Sequence, residues 1–176
     1  MPALPDPQSI PSLPPTAQTA VLDALFEPSP TLHALMQPAL QTPFPSYPAL
    51  ITACHSVMHS LRQTDTPRLH AILGAHPRLG APKVDSAQSA AEQARLQQGS
   101  EATRVRLAEL NQLYEQRFPG LRYVVFVNGR GREEIMRNME ERIERGDIGK
   151  EEEEAIQAMC DIANDRAKKL LAASPA

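Results

Sequence analysis

KEEEEAIQAMCDIANDRAKKLL, residues 150–171, is the strongest helical pattern in the chain. Ile156, Met159, Cys160, Ala163, Ala167, Leu170 and Leu171 recur at helical steps, so one stripe of a 3.6-residue repeat is apolar and must be covered. Glu151 to Glu154 crowd the start and Lys168 and Lys169 the end, the arrangement that a helix dipole favours. Arg166 breaks the stripe, standing in the row Met159, Ala163, Arg166, Leu170. An arginine there either reaches out to water or pairs with an anion, because a buried guanidinium is costly without a carboxylate.

Outward from this stretch the pattern stays helical. Residues 132–145 place Ile135, Met136, Met139 and Ile143 on one side, and Gly146 follows as a natural C-terminal cap. Residues 85–117 hold no proline and read as helix, with a break near Gly99-Ser100. Fifteen of the 17 prolines lie at or before Pro82, and they punctuate short helices: 17–26, stopped by Pro28; Pro30–Met36, with Ser29 as N-cap; 47–62; and 67–74. Residues 1–15 contain six prolines and no apolar period, which predicts an extended or frayed arm ahead of one domain at 16–173. The fold class is all-α, a single-domain multi-helix bundle.

One stretch departs from it. Tyr123-Val124-Val125-Phe126-Val127 is β-branched and aromatic throughout and prefers an extended chain, and Asn128-Gly129-Arg130-Gly131 then turns it. No second strand is evident to pair with it. Its N–H and C=O groups therefore need side chains, water or a ligand as partners.

Length and composition narrow the rest. A chain of 176 residues with 41% hydrophobic residues can bury a core, and 4% aromatics without Trp make that core aliphatic. A net charge of -3 argues against nucleic acid or an anionic membrane as partner. Cys54 and Cys160 sit among apolar neighbours and read as buried thiols in a reducing compartment. No segment approaches the ~20 apolar residues that span a bilayer, and the final Ala-Ser-Pro-Ala is not a Ser-Lys-Leu-type peroxisomal signal. The expected location is the cytoplasm. No metal-ligand spacing, phosphate loop or nucleophile elbow is present, so the chemistry expected is free of metal and cofactor.

His33, His55, His59 and His70 lie inside helical patterns as ordinary surface or boundary residues. His76 stands just past a helix end, and Pro77 restricts it. It reads equally as a helix cap or as an imidazole held rigidly on a loop. Ser89, Glu92 and Gln93 are spaced i, i+3, i+4 and project from one helix face, either solvated or turned inward.

Together these pieces resemble the OHCU decarboxylase (2-oxo-4-hydroxy-4-carboxy-5-ureidoimidazoline decarboxylase) family. The landmarks are Phe26-Glu27-Pro28-Ser29-Pro30; Ala75-His76-Pro77 with Leu79; Ser89-x-x-Glu92-Gln93; Tyr114-x-x-Arg117-Phe118 leading into 123–127; and Ile162-Ala163-x-x-Arg166. Arg78 departs from the Asp that commonly follows the family's His-Pro. The resemblance implies an all-α, cofactor-free homodimer that releases CO₂ from a small anionic substrate to give (S)-allantoin in urate breakdown. It implies His76 and Glu92 as catalytic residues. Pro77, Ser89, Gln93 and the backbone of Val124, Val125, Phe126 and Val127 would hold the substrate, and Arg166 its anionic part. Two alternatives stand beside it: a related ureido acid as substrate, or a helical binding or interaction protein without turnover.

Overall fold

The computed structural model describes residues 4–80 and 100–173. They form seven α-helices: α1 (Pro15–Leu25), α2 (Pro30–Met36), α3 (Tyr47–Thr64), α4 (Thr66–Leu73), α5 (Glu101–Arg117), α6 (Arg132–Arg145) and α7 (Ile148–Ala172). There is no strand among the described residues, so the all-α expectation holds. Most helix starts are set by local chemistry. The side chains of Ser29, Ser46, Asp65, Ser100 and Asp147 each accept a hydrogen bond from a first-turn N–H, and proline occupies the first turn of α1 to α4. Gly146 ends α6 with φ 60°, a left-handed cap for which glycine carries no penalty.

Helix α7 is the axis of the bundle. Its stripe packs most extensively on α3 and also covers α1. Ile156, Met159, Cys160 and Ala163 meet a core that includes Leu50, Ile51, Cys54 and Met58, all at most 4% exposed. Each fully buried Leu, Ile or Met contributes on the order of 1.5–3 kcal/mol. Both cysteines are free and buried, and burial pushes the Cys160 thiol up to about 12.

One sequence expectation needs correction. The described part of the proline-rich start, residues 4–15, is not a frayed arm. Residues Pro7–Ser12 form a 3-10 turn capped by Asp6, Ile10 is fully buried, and Gln18 donates to the Ile10 carbonyl at 3.1 Å. Proline fixes φ near the 3-10 value, so the same residues that exclude an α-helix favour this turn. Of the acidic residues that open α7, Glu151 is fully buried and Glu152 6% exposed. The helix break expected near Gly99-Ser100 is resolved as the N-cap of α5. The remainder of that pattern, 85–99, lies outside the described residues.

Gly74, just past α4, is where backbone meets backbone. A Cβ built there would stand 2.7 Å from the Gly120 carbonyl oxygen and 2.9 Å from that of His70. Gly74→Ala must therefore push the chain entering the His76 loop away from residues 118–121. We expect a loss of about 1–3 kcal/mol, read as a lower midpoint in urea at unchanged m.

Candidate active site

Helix α1 ends because Phe26 turns extended (φ −111°, ψ −169°), and Pro28 holds Glu27 out of helical geometry. The connector that results crosses α7 at Arg166. Nη1 of Arg166 donates to the carbonyls of Phe26 at 3.2 Å and Leu25 at 3.4 Å. Its Nη2 donates to Glu27 Oε1 at 2.9 Å. Arg166 thus caps the C-terminus of α1 from another helix, satisfying carbonyls that have no partner within α1. The arginine side chain is 2% exposed and the carboxylate 5%. Of the two options open in the sequence, Arg166 takes the paired one.

The same carboxylate oxygen lies 4.0 Å from His76 Nδ1. His76 follows α4 through two further turns, Ala75 N–H donating to Ile72 at 3.2 Å and His76 N–H to Leu73 at 3.4 Å. Past it, Asn111 of α5 donates to the Leu79 carbonyl at 3.0 Å. Arg78 clasps Glu115 of α5 through Nε at 2.6 Å and Nη2 at 2.5 Å. Glu115 also takes a hydrogen bond from Arg122; the bond from Arg78, and then those from Arg122, hold its carboxyl below the usual range. Arg78, which departs from the family pattern, therefore has a matching partner on α5. The loop is tied down at Gly74 and at 78–79, with the imidazole between the two ties and only 11% exposed.

Leu25, Phe26, Glu27, His76, Met159, Ile162 and Arg166 line a narrow recess, packed closely enough in this structure to leave no room for a water molecule. Among the described residues its walls are apolar from α7 and the end of α1, and its polar groups are one imidazole, one carboxylate and one guanidinium. Groups of these types, brought together, can pair with a small anion and move a proton to or from it. The other four histidines stand apart from it. His33 pairs with Asp23 at 2.6 Å, His70 with Glu152 at 2.8 Å, and His55 stacks on His59.

Residues 121–127 run between α5 and α6 without regular structure. Arg142 donates to the Val124 carbonyl at 3.0 Å, and Arg130 donates to the carbonyls of Phe126 at 2.5 Å and Val127 at 3.4 Å. Side chains thus answer carbonyls of the segment. None of its residues is among those lining the recess at His76. Behind it is a buried cluster. Glu151 accepts from Arg142 Nε at 2.9 Å and, at shorter range, from Arg142 Nη2 and the Tyr114 hydroxyl. The Arg142 guanidinium lies 4.8 Å over the Tyr123 ring. Burial, then the Glu151 carboxylate, raises the Tyr114 hydroxyl far above its ordinary value.

Of the residues singled out from sequence, His76 and Arg166 come together, and Glu92, Ser89 and Gln93 lie outside the described residues. Glu27 is the site residue that sequence reasoning missed. Arg166 on its apolar row called for a carboxylate, but the partner is 139 residues away in sequence, and no periodicity links the two. Among the described residues no group of three His, Cys, Asp or Glu could hold a metal ion, and no helix is long and apolar enough to cross a membrane.

The (S)-allantoin synthase crystal structure shares this fold, with a TM-score of 0.62 at 18% identity over 93% of this chain and 53% of that one. The chain therefore spans about half of that protein's length. No curated protein matches the sequence. A family description, OHCU decarboxylase, matches residues 11–168, a span that includes every described residue of the recess, and on that match the chain belongs to the OHCU decarboxylase family.

Proposed function

We propose that this protein decarboxylates 2-oxo-4-hydroxy-4-carboxy-5-ureidoimidazoline to (S)-allantoin without a cofactor, in urate breakdown. The observation that carries the reading is the recess in which His76 and a buried Glu27–Arg166 pair meet, in a chain of this family. Breaking the bond to the carboxylate releases CO₂ and leaves its electron pair on the ring carbon, where the conjugated ring takes it up. The pair passes towards the adjacent ring C=N as an enol-like anion. A proton therefore has to reach one face of the neighbouring carbon, the one that carries the ureido group. The hydroxyl of the decarboxylated carbon gives up its own proton and becomes the allantoin carbonyl. His76 delivers the proton to the ureido-bearing carbon, a general-acid step worth typically ~10²–10⁴-fold.

Arg166 attracts the anionic part of the substrate, and Glu92 orients His76 or accepts the substrate's N–H groups. Pro77, Ser89, Gln93 and the backbone of Val124, Val125, Phe126 and Val127 fix its register, the positioning contribution to the rate. These assignments rest on the matching of sequence landmarks to the family. The reading includes a homodimer in the cytoplasm, where two unpaired buried thiols persist.

The test is circular dichroism of allantoin formed in situ, with urate converted by urate oxidase and hydroxyisourate hydrolase. With this protein present, one optical antipode is expected to accumulate faster than the spontaneous racemic background. No gain over background from folded protein overturns the reading.

A further inference from the structure

We propose that Glu27 is a positioning residue for the reaction, coupling Arg166 to His76 through a single carboxylate oxygen; the inference rests on the functional reading above. Oε1 of Glu27 takes the hydrogen bond of Arg166 Nη2 at 2.9 Å and stands 4.0 Å from His76 Nδ1. All three side chains are nearly excluded from water, at 5%, 2% and 11% exposure for Glu27, Arg166 and His76. The connector that holds Glu27 is fixed at both ends. Arg166 grips the Leu25 and Phe26 carbonyls, and Ser29, two residues on, is the N-cap of α2. The carboxylate therefore has little freedom to leave.

Two consequences follow for the chemistry. A carboxylate facing Nδ1 favours the proton on that nitrogen and leaves Nε2 as the one that exchanges a proton with substrate. A gap of 4.0 Å is longer than a hydrogen bond, and contacts of this kind tighten when substrate fills the site. The carboxylate also offsets the charge of Arg166. An anionic substrate then meets a guanidinium that is already partly compensated, which tempers ground-state binding and leaves orientation as the main effect.

Glu27→Gln keeps the shape and removes the charge, and Glu27→Asp keeps the charge on a shorter stem. For the full-length protein, folding is checked by thermal melting. The His76 ring nitrogens are read by long-range ¹H–¹⁵N spectra and assigned with His76→Gln. Wild type is expected to carry its His76 proton on Nδ1, and Glu27→Gln to lose that preference. Turnover of Glu27→Gln should fall about 10–100-fold with KM unchanged or lower, and Glu27→Asp should regain part of the loss.

A folded Glu27→Gln with wild-type tautomer and turnover overturns the proposal. So does a loss carried wholly by a higher KM with the tautomer unchanged, the mark of a merely structural role. If wild type itself forms no allantoin, the functional reading fails, while the tautomer comparison still decides whether Glu27 governs His76.

Discussion

Replacing His76 by alanine is expected to lower turnover by about 10²–10⁴-fold while the protein stays folded. At ~1.4 kcal/mol per tenfold, this asks ~3–5.5 kcal/mol of the imidazole, a range within reach of a positioned acid. The fold should survive because other groups hold the loop. Asn111 holds the Leu79 carbonyl, Arg78 clasps Glu115, and the turns after α4 use backbone groups alone. His76 also lies beside the Glu27–Arg166 pair, which keeps its own 2.9 Å hydrogen bond when the ring is gone. Stereochemistry is the sharper readout. If His76 supplies the proton from one side, allantoin formed by His76→Ala should approach a racemate in the circular dichroism assay. A folded variant with wild-type turnover and undiminished enantiomeric excess would remove His76 from the mechanism.

Legibility in the sequence followed the range of the interactions involved. Helices set by local chemistry were readable almost to the residue. Pro30–Met36 with its Ser29 cap and Arg132–Arg145 with Gly146 were both foreseen, because caps and proline act within a few residues. His76 stood out for the same reason, since a histidine between a helix end and a proline is a local fact.

What failed was tertiary. The six early prolines read as a frayed arm, yet Ile10 is buried and Tyr47 donates to the Pro5 carbonyl at 2.6 Å across 42 residues. Glu151 read as one of four dipole-favoured acids, and nothing in its neighbourhood announced Arg142 as a buried partner. Glu27 stood in a family landmark without a role, because its meaning lies in Arg166 and His76, each distant in sequence. The segment 123–127 was read correctly as non-helical, and its need for partners was legible, but the arginines that answer its carbonyls were not.

Breaking the ion pair of that same buried cluster should give the largest stability loss expected of a single substitution here. Arg142→Met or Glu151→Gln is expected to cost about 3–5 kcal/mol, because each leaves a buried charge without its main partner. In its place remains Arg145 at 3.4 Å from Glu151, or Glu154 at 3.4 Å from Arg142. Arg142 is 4% and Glu151 0% exposed at the side chain, so neither survivor can turn to water. Burial opposes the charge on Arg142, and the hydrogen bonds and charge of Glu151 outweigh it and hold its pKa above the ordinary value. The helix ends add to the pair. Arg142 sits in the last turn of α6 and Glu151 in the first turn of α7, where each charge meets the favourable end of a dipole.

Removing both charges together, in Arg142→Met/Glu151→Leu, should recover much of the loss. The recovery stays incomplete because the Val124 carbonyl and the Tyr114 hydroxyl each lose a partner, at about 1–3 kcal/mol apiece. Denaturant unfolding of the two single variants and the double variant measures this directly. Single variants that lose less than ~1 kcal/mol would mean that water reaches the pair. The double variant also separates stability from function: it frees the Val124 carbonyl, so if the 124–127 backbone holds substrate, kcat/KM should fall even where unfolding shows the protein intact.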